Sequence, residues 1–213
     1  MNQLKGSLAL LLGTLIWGMA FVAQSVGMDL IGPFTFQAIR CALGVLFLLA
    51  VSLLLGLKEG FRTFISKWKN RKLWRCGIIC GAALFVATSL QQLGLVYTEP
   101  GKAGFLTAMY IVLVPLLGFF IHQKPGVSAV FSVLLSLAGL YLLSFSGAGG
   151  TNIGDLLMIA CAFAFAVQIL FIDRYAQDMD GIRLNCAQAL VVSVLSIPGI
   201  LLNRETVAFS NII

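Results

Sequence analysis

Apolar residues in this chain fall in blocks, with charges confined to the gaps between them. Uncharged stretches run over 6–28, 76–98, 103–123, 125–154 and 184–203, and two slightly interrupted ones lie near 32–57 and 156–172. A helix rises about 1.5 Å per residue and the hydrocarbon core is about 30 Å thick, so each stretch is long enough for one crossing. The pattern predicts an all-α membrane protein with seven transmembrane helices, numbered spans 1 to 7. Lys5 before the first block resembles the start of a signal peptide. The block is about 20 residues long, however, and no small-residue cleavage site follows, so it reads as a span.

Composition points the same way: 60% of the 213 residues are hydrophobic, 10% are charged, and mean hydropathy is +1.00. A soluble domain is about a quarter charged. The net charge of +6 matters less than where the charges lie. Lys5, the seven basic residues from Lys58 to Arg75, Lys124, Arg174 and Arg183 occupy alternate gaps, whereas the opposite gaps hold only Lys102 and Arg204. Lysine and arginine in short loops mark the cytoplasmic side. The expectation is a multi-pass protein of the cytoplasmic membrane with its N-terminus in the cytoplasm.

Within the basic segment, Phe61, Phe64, Ile65, Trp68 and Trp74 interleave with the charges, as in a short helix lying in the lipid interface. The segment has neither the stacking platform nor the fold of a nucleic-acid binder, so membrane lipid is its expected partner and nucleic acid is not. Cys41, Cys76, Cys80, Cys161 and Cys186 sit in or beside apolar blocks without metal-ligand or disulfide spacing. They read as packing residues, and no cofactor or metal is implied.

A polar group in hydrocarbon is costly, so polar residues inside spans face other helices or an aqueous cavity. In span 1, Thr14, Trp17, Phe21 and Gln24 share a face. That face suits either a cavity wall or a helix contact over Gly13 and Gly18. Span 3 carries Thr88, Gln91 and Gln92, span 4 carries Thr107 and Tyr110 before Pro115, and span 6 carries Gln168. Trp17, Gln24, Gln91, Gln92, Tyr110 and Gln168 are therefore the candidate solute-binding residues, with interhelical hydrogen bonding as the alternative for the glutamines. Pro115 removes a backbone hydrogen bond and predicts a kink in span 4. Arg40 sits inside span 2, with Asp29 or Glu99 as expected partners. Ser132, Ser136 and Gly139 in span 5 form a small-residue face suited to pairing with a second copy.

At an offset of 148 residues, Gly6-Ser-Leu8 falls on Gly154-Asp-Leu156, Trp17 on Phe165 and Arg40 on Gln188. Five spans separate the two starts, so a repeat would be inverted, as in many secondary carriers. This divides the chain into a first repeat over 1–146 (spans 1–5) and the start of a second over 147–213 (spans 6 and 7).

The run from Gln91-Gln-Leu-Gly through Glu99-Pro-Gly-Lys-Ala-Gly to Tyr110 and Ile-Val-Leu-Val-Pro115 resembles the helix 3 to helix 4 signature of the EamA family, in the drug/metabolite transporter superfamily. Trp17-Gly18, Pro33 with Phe36 and Arg40, and Gly154-Asp155 extend the resemblance. It implies a ten-helix bundle of two inverted five-helix repeats around a central cavity, of which this chain would supply seven helices. The expected function is a secondary transporter, in the export direction, moving a small metabolite or drug by alternating access. The alternative is a truncated, non-transporting membrane fragment or subunit. There is no GxxxxGK[ST] for ATP. A lone His122 and the absence of HExxH, GxSxG or clustered carboxylates argue against an enzyme.

Overall fold

The computed structural model describes residues 2–56, 61–120, 152–177 and 179–205, with scattered positions between 126 and 142. Among these the chain forms α1 (Asn2–Leu30), α2 (Pro33–Gly56), α3 (Phe61–Trp68), α4 (Arg71–Leu95), α5 (Pro100–Ala108), α6 (Tyr110–Phe120), α7 (Ile153–Tyr175) and α8 (Gly181–Asn203), and no strand. Among the described residues six helical segments are long and apolar enough to cross a membrane, with α5 and α6 together making one of them. The protein is a multi-pass helical membrane protein. Most of the expected fifth span, and His122, lie outside the described residues. The described positions Phe131, Val133–Ser136, Ala138 and Gly139 are helical.

One expectation needs correction, and one junction was not expected. The interfacial segment does not run to Arg75 as one helix: α3 ends at Trp68, and Asn70, whose side chain accepts a hydrogen bond from the Lys72 amide, starts α4. The fourth span is interrupted at Met109, six residues before Pro115, which itself lies inside α6. At the break the Met109 amide donates to Leu106 O (3.2 Å) and the Val112 amide to Met109 O (3.0 Å), the short i to i−3 pattern that tightens a helix end.

Contacts fix the direction of each helix. α4 is central, packing on both α7 and α8. Gly77 and Gly81 of α4 meet Ala187 and Val191 of α8 in ascending order, so these two helices are parallel. A Cβ at Gly77 would lie 2.6 Å from that of Ala187, closer than any side chain tolerates. Glycines four apart let helix backbones approach in lipid, where packing, and not water, drives association. α7 runs against α4, with Gly154 beside Gly94 and Thr98 while Cys76 meets Tyr175. α2 runs against α8, tied by Ser193 Oγ donating to Ala38 O (3.1 Å) and by the Gln37 amide donating to Ser196 Oγ (3.1 Å). α5 and α6 run parallel to α7, through Lys102–Asp155, Thr107–Met158 and Tyr110–Phe165. α1 runs against α2, since Gly27 abuts Phe36 and Gln24 meets Arg40. It follows that α7 is opposite in direction to α1, and α8 to α2.

The far end of the chain closes the α2–α8 pair. Glu205 accepts from the Phe34 amide (3.1 Å), the Thr35 amide (2.7 Å) and Thr35 Oγ1 (2.8 Å), capping α2 from 170 residues away. A carboxylate at a helix N-terminus satisfies orphan amides and opposes the positive end of the dipole.

Candidate functional site

Between α1 and the α5–α6 pair lies a cleft of about 300 Å³, walled by Thr14, Trp17, Phe21, Gly104, Thr107 and Tyr110 among others, none of them charged. Spacings of three and four put Thr14, Trp17 and Phe21 on one face of α1. The Trp17 and Tyr110 rings stack with centroids 6.5 Å apart at 26°, and Phe165 of α7 meets both, at 6.1 Å from Trp17 and 6.2 Å from Tyr110. Such pairs add to simple burial. Trp17 nevertheless stays 43% exposed because it opens onto the cleft. Glycine at 104 leaves the floor of the cleft to the Phe21 ring, 3.6 Å from where a Cβ would stand.

Behind the aromatic cluster stands α4. Ala87 packs in one core group with Cys161, Phe165 and Tyr110, and Gln91 lies one turn further along. Leu95, a turn beyond that, packs with Phe21, Ala103, Leu106 and Met158. Gln91 and Gln92 are 2% and 1% exposed. Among the described residues, Gln91 Nε2 and both amide atoms of Gln92 have no hydrogen-bond partner. Each such buried atom costs about 1–3 kcal/mol, so α4 carries donors and an acceptor whose satisfaction by a polar partner would be favourable.

Of the six candidates, Trp17 and Tyr110 meet in the cleft, while Gln91, between Ala87 and Leu95 on α4, and Gln92 are buried and do not line it. Gln24 and Gln168 are engaged elsewhere. Gln24 Nε2 donates to Ala20 O (3.0 Å), and its Oε1 accepts from Arg40 Nη1 at 2.6 Å. Arg40 also lies 6.0 Å over the Phe36 ring, while the Asp29 side chain is outside the described residues. Gln168 Nε2 donates to Gln188 Oε1 at 2.9 Å, a buried amide pair joining α7 to α8. Gly139 of the small-residue face lies against Phe105 of the same chain.

Sequence reasoning missed the third ring of the cluster: it gives Phe165 as the counterpart of Trp17 at the 148-residue offset and as part of a phenylalanine-rich face of span 6, and not as a neighbour of Tyr110. It also missed the ion pair at the cleft's end. Asp155, with its side chain 3% exposed, accepts from Lys102 Nζ at 2.6 Å, from Thr98 Oγ1 at 3.3 Å and from the Asn152 amide at 3.1 Å. The last bond completes a capping box, since Asn152 Oδ1 accepts from the Asp155 amide in return. This network joins the end of α4, the first turn of α5 and the start of α7.

Residues 4–145 match the EamA-like transporter family. An uncharacterized transporter of Archaeoglobus fulgidus is 32% identical over 201 residues, covering 92% of this chain and 58% of the relative. The uncharacterized transporter YrdR of Bacillus subtilis is 28% identical over 148 residues, covering 67% of this chain and 44% of the relative. The chain thus spans about half the length of the curated relatives it matches. No solved structure matches it.

Proposed function

The chain belongs to the EamA-like transporter family, and we propose that it carries a small, uncharged or zwitterionic solute with a flat ring across the cytoplasmic membrane by alternating access, in the export direction. The observation that carries this reading is the uncharged cleft between α1 and α5–α6 with the Trp17–Tyr110 stack on its wall, and the buried amide atoms of Gln91 and Gln92 on α4 that lack a partner among the described residues support it. Apolar and aromatic walls with a few convergent polar groups are the usual make-up of a small-molecule site, and about 300 Å³ is the lower end of the usual size. In this reading Trp17 and Tyr110 hold the ring, and Gln91 and Gln92 exchange hydrogen bonds with its polar edge. Gln24 and Gln168 act indirectly, by holding Arg40 and Gln188.

The same proposal includes two inverted repeats, 1–146 and the start of another over 147–213. It is supported by the opposite directions of α7 and α1 and of α8 and α2. Register supports it too: α8 begins at Gly181 and α2 at Pro33, 148 positions apart. Trp17 and Phe165, counterparts at that offset, touch one another, as residues beside a two-fold axis do. A cytoplasmic N-terminus is supported by the eleven-to-two bias of basic residues.

The test is flux of a panel of labelled ring-bearing solutes into inverted membrane vesicles containing the chain. We expect accumulation of at least one uncharged or zwitterionic solute, reduced about tenfold by Trp17→Ala, the equivalent of about 1.4 kcal/mol of lost aromatic contact. Flux that is absent for every solute, or indifferent to Trp17→Ala, sinks the reading.

A further inference from the structure

Glycine is a poorer helix former than alanine, so a glycine inside a helix calls for a reason. In α4 the reason is packing. A Cβ at Gly77 would stand 2.6 Å from that of Ala187, at Gly81 2.8 Å from that of Val191, and at Gly94 3.1 Å from Gly154 O. Gly104 in α5 differs. The Cβ it lacks would stand 3.6 Å from the Phe21 ring, an ordinary contact that pushes nothing aside. Packing among the described residues therefore does not require glycine at 104. The space left empty belongs to the cleft, which Gly104 and Phe21 both line.

Helical spacing separates this position from the core. Ala103 and Leu106, on either side of it, are buried with Phe21, Leu95 and Met158. Gly104, Thr107, Ala108 and Ile111 follow spacings of three and four, and all four line the cleft. Along that face the side chains grow from none at Gly104 to a full aliphatic one at Ile111, so the cleft is deepest over the Phe21 ring. A missing side chain is also what lets a bound molecule approach the backbone closely.

We propose that Gly104 is a specificity-determining residue: the apolar edge of the solute's ring seats over Phe21 in the space that a Cβ at 104 would take, and the depth of this seat decides which ring substituents are carried. The inference rests on the cleft being the solute site. The chemistry of the seat is apolar, since its floor is a phenyl ring and its wall a bare backbone. It takes a ring C–H or a methyl group and rejects a charged or strongly hydrated substituent, which would lose its water there without a partner.

The experiment follows labelled uracil and thymine into inverted vesicles containing the full chain. Both are flat, uncharged rings, and thymine adds one methyl group on the apolar edge. Gly104→Ala puts a methyl group of the protein where that of thymine would sit. We expect thymine flux to fall about tenfold relative to uracil, the discrimination one such group gives in an apolar pocket. Gly13→Ala, which also meets nothing within 4 Å but lies on α1 outside the cleft, should leave the ratio unchanged. Resistance to unfolding by dodecyl sulfate should not fall in either variant. Lost resistance in Gly104→Ala would mean that the glycine is kept for packing and would overturn the inference. Equal losses of uracil and thymine flux, or an equal shift of the ratio in Gly13→Ala, would overturn it as well. If the unaltered chain carries neither ring, the seat is refuted, and the wider panel of solutes decides separately whether the cleft carries anything.

Discussion

The Lys102–Asp155 pair offers an asymmetric perturbation. Lys102→Met removes the cation from a carboxylate whose side chain is 3% exposed, leaving only Thr98 Oγ1 and the Asn152 amide as its donors. Breaking a buried pair from one side costs about 3–5 kcal/mol. The two surviving donors and the 28% exposure of Lys102 reduce this to about 2–3 kcal/mol. Asp155→Asn strands nothing, because the freed lysine turns to solvent and the amide keeps part of the capping box; its cost is about 1–2 kcal/mol. The double variant has no buried charge left to penalise, so it should cost little more than Asp155→Asn alone, a coupling of about 2 kcal/mol. Unfolding of all four proteins is followed by far-ultraviolet circular dichroism as dodecyl sulfate is titrated into mixed micelles. Single costs that sum to the double within about 0.5 kcal/mol would refute the idea that Asp155 is held by Lys102 in a low-dielectric pocket.

Three other outcomes follow from the packing. Gly77→Leu should destabilise by at least about 1–3 kcal/mol in the same titration, because the new side chain must push Ala187 away, whereas Gly13→Ala, which meets nothing within 4 Å, should change little. Glu205→Ala should cost about 0.5–2 kcal/mol by uncapping α2, and amide exchange at Phe34 and Thr35 should quicken more than exchange in mid-helix. Gln92→Leu should raise stability by about 1 kcal/mol or more, since it removes two buried unpartnered atoms, while lowering solute flux in the vesicle assay. Lost stability together with unchanged flux would show that Gln92 is a structural residue.

The spans were legible because each carries its own apolar block, and bilayer thickness turns a block length directly into a crossing. Their junctions were not: the break at Met109 has no sequence mark of its own, while Pro115, which has one, lies within α6. The face carrying Trp17 was legible from helical spacing, but its ring partners were not, since Tyr110 and Phe165 come from helices whose mutual rotation no local pattern encodes. Gln24 and Gln168 illustrate the same limit. A polar residue inside a span announces that it needs a partner without saying whether that partner is a solute or, as here, Arg40 and Gln188. The Lys102–Asp155 pair spans 53 positions and was invisible for that reason. One signal was present and overlooked: Gly77-Ile-Ile-Cys-Gly81 spells the small-residue spacing that seats α4 on α8.

The interruption at Met109 makes the fourth crossing two rods joined at a knuckle. α5 is moored to α7 through Lys102, and α6, which packs on α7 as well, continues for 11 residues, about 16 Å at about 1.5 Å per residue. A tilt of about 10° at the knuckle would carry Phe120 sideways by about 3 Å over that lever, yet Tyr110, beside the pivot, would scarcely move. Such a tilt would shift the far end of α6 against α7, on which it also packs, by nearly the thickness of an aromatic ring while leaving the stack on Trp17 assembled.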